Sequence, residues 1–517
     1  MSYRSVFRLC LGLGLIAVPT GRLLADAPPP GITVDAASVT GQLKPLRGVN
    51  GAPDLTFLGG EVGGPGFSVG KPVDVSAGYR AAHVTLVRTH DSNGASDLDP
   101  SAGDLPPLGP GFGPPPEVAK MLDLNVLFPK VDADPALEAS YNFGPTDKLI
   151  AGIKGIGAEV LFRLGRSGMT TAKPPTDLAR YGEIVKHIVL HYNKGWANGF
   201  QYGIRYWEVW NEPDLGHIFW RGDAEQYYAL YQAAAQAVKA ADPDAQIGGP
   251  AIALVNEASP YREGFLAYVR DHKLPLDFFS WHWYSVDADD PREFAEIGKT
   301  MRGLLDRYGF TATRSFLDEW NYDFRELKTA APDAVSSFVA AALIYMQDAP
   351  IDQTALYRAD GEFDADGKPR NQLGRVLIGL GDFADTAARL AVTGGDDRGL
   401  AALAARSEDG QIVRIMVSNY QIPAARRGPR PEGDVMHEHG LFDLQLLPRR
   451  SVTYPDWHRY RLTLRGLPAG TYSLRRHHLA GGAEQIEDKA VKGGKPLDLD
   501  FAMAADMVDW FEIRRQK

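Results

Sequence analysis

Two glutamates carry the strongest chemical signal in this sequence. Glu212 closes an apolar, aromatic run, Tyr206-Trp207-Glu208-Val209-Trp210-Asn211-Glu212-Pro213, and Glu319 stands in Ser315-Phe316-Leu317-Asp318-Glu319-Trp320-Asn321. Each lies beside tryptophan and asparagine. Aromatic and β-branched residues suit a buried strand, and Pro213, with no N–H to donate, stops its ladder. Glu212 is therefore expected at the carboxyl end of a strand, the rim where parallel α/β barrels keep their reactive groups. Glu319 has the same context. Paired carboxylates have a specific use: one stays protonated and gives its proton to a leaving oxygen, while the other stays ionised and attacks or stabilises the electron-poor carbon. Indole faces and asparagine amides nearby suit a sugar, the first on its C–H face and the second on a hydroxyl. On this reading Trp320 and Asn211 are candidate substrate contacts. Glu208, four residues before Glu212, shares its strand face and is read as a supporting residue.

The elements that position these groups repeat along the chain. Between residues 45 and 385, short apolar strands alternate with amphipathic helices, the form of a (β/α)8 TIM barrel. The candidate strands are 46–50, 84–89, 159–164, 205–210, 245–249, 278–284, 315–320 and 354–358. The helix after the fourth is the clearest: Asp223 and Gln226 form a capping-box pair, and Tyr227, Leu230, Tyr231, Ala234 and Val238 make an apolar stripe. After Phe383 the helical period fades. Alternating stretches separated by Gly and Pro turns predict an all-β sandwich over 386–517, and residues 28–44 are expected to join its sheet, because a single strand cannot stand alone. The Pro/Gly-rich stretches 59–70 and 100–116 follow early strands and are expected to be rim loops.

Composition narrows the function classes. The 517-residue chain has a net charge of −10 and no basic run that forms a nucleic-acid footprint. Residues 1–27 read as an export signal: Arg4 and Arg8, an apolar stretch, then Ala25-Asp26-Ala27. Cleavage there would remove Cys10, the only cysteine, and with it any thiol nucleophile. The expected location is secreted or periplasmic, with no membrane span. No cofactor is expected, and no metal: His437-Glu438-His439 lacks metal-ligand spacing and lies in a Gly/Pro-rich loop. His90, after Val87-Arg88-Thr89, and His282, in Trp281-His282-Trp283-Tyr284, fall near strand ends and are candidates for hydroxyl contacts. Arg88 is placed to keep a nearby carboxylate ionised, and Tyr284 to donate to it.

These segments resemble glycoside hydrolase family 39. The resemblance rests on residues 207–214 with Phe219-Trp220, on Asp318-Glu319-Trp320-Asn321, Arg88-Thr89-His90 and His282-Trp283-Tyr284, and on Tyr141-Asn142-Phe143. It implies a retaining exo-glycosidase of β-xylosidase type with Glu212 as acid/base and Glu319 as nucleophile. Asn211 would bind the 2-hydroxyl, His90 and His282 would contact the sugar, and the partner would be a xyloside or related glycoside. An arabinoside or uronide substrate, or a non-catalytic carbohydrate-binding barrel, are the alternatives. The sequence departs from the family pattern at three places. Asp318 precedes the nucleophile where threonine is usual, the glycine after His90 is missing, and Leu356-Tyr357-Arg358 replaces a Trp-rich eighth strand. Arg358 would suit an acidic or decorated sugar.

Overall fold

A computed structural model describes residues 29–58, 71–98, 124–166, 173–285, 290–323, 326, 329–395, 399–431, 433–438, 442–445, 448–449 and 459–516. Residues 1–27, expected from sequence to be an export signal, the stretches 59–70 and 100–116, and His439 lie outside them. Eight parallel strands close into a barrel: β2 (Gly48–Asn50), β3 (Leu86–Arg88), β4 (Glu159–Leu164), β5 (Tyr206–Val209), β6 (Gln246–Ile252), β7 (Phe278–Tyr284), β8 (Arg314–Asn321) and β9 (Gln353–Leu356). All eight coincide with the strands expected from sequence to within a few residues at each end. The helix Ala224–Ala241 begins with the expected capping box between Asp223 and Gln226 and buries its apolar stripe.

The barrel interior is layered by the twofold alternation of its strands. A lower layer is apolar: Leu86, Leu161, Tyr206, Phe278, Phe316 and Ala355, all buried, pack together. Glycine makes room for it, since a Cβ at Gly248 would lie 2.3 Å from the Phe278 carbonyl oxygen and 2.4 Å from its ring. Two residues further along the same strands stand Arg88, Arg163, Glu208, Ser280 and Asp318, equally buried but polar. Above them the strands open into the mouth.

One irregularity matters for the site. The β7–β8 register pairs Trp281 with Leu317 but His282 with Glu319, skipping Asp318. A β-bulge re-aims the side chains that follow it. Asp318 continues the inward series from Phe316, and Glu319 also points inward.

β1 (Gly31–Gln42) lies within a nine-stranded sheet otherwise formed by C-terminal strands, between β10 (Ala388–Thr393) and β15 (Arg459–Arg465). That sheet curls over a core of its own containing Ile32, Val34, Ile415, Leu462, Phe501 and Phe511. Its opposite face, with Leu403, Met416 and Trp510, merges into the barrel's hydrophobic core. The Ser418 hydroxyl donates to the Ser337 carbonyl at 2.7 Å across this junction. Sequence periodicity misses β17 (Ala483–Lys492), an edge strand whose residues are exposed on both faces except Val491, so no alternation marks it. Among the described residues, no helix is long and apolar enough to cross a membrane.

Candidate active site

Glu212 sits just beyond β5, where the chain turns sharply: Trp210 and Glu212 both have positive φ, +74° and +45°, costly for non-glycine residues and concentrated at functional sites. The Glu212 amide donates to the Ala251 carbonyl at 2.9 Å, anchoring this turn to β6. Glu319 comes from β8 on the other side of the mouth. One carboxylate oxygen from each glutamate and one ring nitrogen of His282 all lie within 4.8 Å of one another. That separation matches the close pair of a retaining mechanism and leaves too little room for the water that an inverting enzyme interposes. Among the described residues, this trio is also the one cluster of His, Asp or Glu side chains compact enough to hold a cation.

Different neighbours set different protonation states. Burial pushes Glu212 up to about 8, and the more distant Arg88 only partly offsets it, while Asp91 adds to the rise. His282 Nδ1 lies 2.7 Å from Glu212 Oε1. Burial lowers His282 to about 4, so the ring is neutral at working pH. Burial and the neighbouring Glu212 raise Glu319 too, but Arg88 and the Tyr284 hydroxyl oppose the rise. Arg88 Nη1 donates to Oε2 at 2.9 Å and Tyr284 donates to Oε1 at 2.8 Å. Two carboxylates this close cannot both ionise easily, and these contacts leave the charge on Glu319 and the proton on Glu212.

Arg88 organises the floor of the site. Its Nε donates to Glu208 at 2.7 Å, Nη1 to Glu319, and Nη2 to Asn211 Oδ1 at 2.7 Å. The last bond fixes the Asn211 amide, leaving its nitrogen as the donor. Burial alone would lower the guanidinium, but the acidic groups around it, Glu208 foremost, more than compensate and keep it charged. His90 Nε2 lies 3.5 Å from Glu319 Oε2, with its ring 6.1 Å from that of Tyr357.

The comparisons with known proteins agree with this geometry. Residues 160–321, which include both glutamates, match the model of glycosyl hydrolases family 39. A solved glucosidase from Croceicoccus marinus is 33% identical and superposes with a TM-score of 0.81 over 95% of this chain and 100% of its own. This chain belongs to glycosyl hydrolases family 39. The β-xylosidase of Geobacillus stearothermophilus is 24% identical over 251 residues, 42% of this chain and 48% of that protein. That of Caldicellulosiruptor saccharolyticus is 29% identical over 171 residues, 29% of this chain and 32% of that protein. The chain thus spans half the length or less of the curated relatives it matches.

Within this family 39 chain the structure brings Arg88, His90, Asn211, Glu212, His282, Tyr284 and Glu319 together. It does not bring Trp320. That ring is fully buried behind the strand, edge-on to Phe294 with centroids 5.1 Å apart. The bulge turns Asp318 and Glu319 inward in succession, so Trp320 falls on the outer face and cannot stack on a sugar. The Arg358 guanidinium donates to both carboxylate oxygens of Asp360, at 2.8 and 2.5 Å, so its charge is already paired within the protein. Two groups at the mouth escape sequence reading. The Tyr357 hydroxyl donates to the Asp91 carboxylate, and the Tyr357 ring stands 6.5 Å from that of Tyr284. Their positions in the sequence, 266 residues apart, give no local sign of this contact.

Proposed function

We propose that this protein is a retaining exo-glycosidase for neutral β-D-pyranosides, with Glu212 as acid/base and Glu319 as nucleophile. The observation that carries the reading is the close pair of carboxylates with opposed environments. Glu319, gripped by Arg88 and Tyr284, attacks the anomeric carbon while Glu212 protonates the departing oxygen. Glu212, now ionised, then takes a proton from the water that releases the glycosyl group from Glu319. The fixed Asn211 amide, His90 and His282 are the proposed hydroxyl contacts.

β-Xylosides are the leading substrates, in line with the two curated relatives. β-Glucosides are a second reading, favoured by the full-length similarity to the Croceicoccus marinus glucosidase. The two sugars share hydroxyl stereochemistry at C2, C3 and C4 and differ by one hydroxymethyl group at C5. A uronide is disfavoured, because Arg358 is neutralised by Asp360 and Asp91 adds a further carboxylate at the mouth. Export through cleavage near Ala27 is part of the proposal, and N-terminal sequencing of the mature protein tests it.

A panel of nitrophenyl glycosides, with the anomer of the first-formed product followed by NMR, tests the reading. β-Xyloside or β-glucoside turnover with retained configuration is expected. Inverted product, or binding without turnover across the panel, would overturn it.

A further inference from the structure

Beneath the catalytic pair lies a second, unused pair of carboxylates. Asp318 and Glu208 are buried to 1% and 0% and face each other within hydrogen-bonding range. Four buried polar atoms here make no hydrogen bond: Glu208 Oε1, Asp318 Oδ1, Asp318 Oδ2 and His282 Nε2. His282 Nε2 lies 3.6 Å from Asp318 Oδ1, while its Nδ1 faces Glu212. Unsatisfied buried groups are costly, and each calls for a physical reason.

One proton accounts for the arrangement. If Asp318 carries it, its O–H donates to Glu208, and its other, uncharged oxygen faces His282 Nε2–H at 3.6 Å, an electrostatic contact that suits a neutral ring. His282 Nδ1 is then a lone pair, positioned to accept from the protonated Glu212. The protons then all point one way, from Glu212 through His282 and Asp318 to Glu208, and Glu208 accepts a charge-balancing hydrogen bond from Arg88. We propose that Asp318 is a neutral carboxylic acid and a positioning residue, which holds His282 neutral and so keeps the proton of the catalytic acid on Glu212.

The surrounding charges support this. The groups facing Asp318 are Arg88 from β3, with Nε 3.3 Å from Oδ2, Glu208 from β5, His282 from β7 and, beside it on β8, Glu319. The Ser280 hydroxyl also faces Glu208, and Asn50 donates to the Asp318 backbone carbonyl at 2.9 Å. One guanidinium cannot balance four buried carboxylates. Burial and the neighbouring Glu208 push Asp318 well up, while Arg88 overcomes burial to keep Glu208 low. An ionised Asp318 would instead favour an imidazolium at His282. That cation, 2.7 Å from Glu212, would stabilise the glutamate's ionised form and remove the acid.

The inference rests on the acid/base reading of Glu212, and the test separates the two. Asp318→Ala, Asp318→Asn and Glu212→Ala are compared on aryl glycosides of graded leaving-group ability. Asparagine reproduces a neutral acid here, with an N–H for Glu208 and a carbonyl for His282. Asp318→Ala is expected to lose about 100-fold in kcat on poor leaving groups but only about threefold on dinitrophenyl glycosides, with KM little changed. Asp318→Asn should recover most of that loss. Above the pH at which Glu212 ionises, the infrared difference between wild type and Asp318→Asn should contain the C=O stretch of a buried carboxylic acid. A loss independent of the leaving group, failure of asparagine to rescue, or absence of that band would overturn the proposal. If Glu212→Ala itself lacks leaving-group dependence, the parent reading fails instead.

Discussion

The two interior layers of the barrel come from the same strands, two residues apart, yet they are opposite in character. Leu86, Leu161, Tyr206, Phe278 and Phe316 form a dry apolar plug, and Arg88, Arg163, Glu208, Ser280 and Asp318 form a charged floor directly above it. Both are almost wholly removed from water. The plug gains from burial in proportion to the area it covers. The floor must settle its charges internally: Arg163 pairs with Asp97, and Arg88 is shared among Glu208, Asp318, Glu319 and the Asn211 amide. The plug therefore serves stability alone. The floor trades stability for a fixed electrostatic environment, as preorganised sites do.

The largest expected effect isolates the mouth from both layers. Glu319→Ala should fold normally, yet retain on the order of 10⁻⁵ of turnover or less, measured by steady-state kinetics, because no covalent intermediate can form. Glu212→Ala should lose about 10²–10⁴-fold on poor leaving groups and far less on activated ones, with azide restoring turnover. Equal loss on both substrate types would break the assignment.

A matched pair of variants then sets floor against plug. Phe316→Ala and Arg88→Met should each cost about 3–5 kcal/mol of stability by denaturant titration, the first through a cavity and the second through uncompensated buried carboxylates. Only Arg88→Met should move the acidic limb of the pH–rate profile upward, since Arg88 favours the ionised form of Glu319. An acidic limb shifted equally by Phe316→Ala would erase the distinction between the layers.

Glu212 also makes the stability of the fold depend on pH. Its proton is held to about 8 in the folded state, well above the unfolded carboxylate, so the folded protein binds more protons between those values. Its contribution is fully present below the unfolded value and is lost as pH rises through about 8. Glu212→Gln should therefore raise Tm more at pH 8 than at pH 5, as read by calorimetry. The basic limb of the rate profile should fall near that same value.

The sequence makes the plug and the strand ends legible because both are local patterns: aromatic and β-branched runs, a proline stop after Glu212, and a capping box from Asp223 to Gln226. Arg88 and Tyr284 are readable as partners of a carboxylate because they fall at strand ends. The floor is harder to read. Asp318 and Glu319 both point inward only because β8 bulges, and alternation counted along one chain cannot register a bulge. The same bulge removes Trp320 from the site. The Tyr357–Asp91 contact depends on barrel closure, which joins distant segments, and β17 carries no alternation because both its faces are wet.

The central claim is that Glu319 becomes covalently bonded to the sugar. Incubation with a 2-deoxy-2-fluoro-β-glycoside bearing a dinitrophenyl leaving group, followed by intact mass and peptide mapping, tests it directly. The account expects one fluoroglycosyl adduct per chain, on the peptide containing Glu319 and absent in Glu319→Gln. An adduct on Glu212 or Asp318, or full turnover of the probe with inverted product and no adduct, would contradict it.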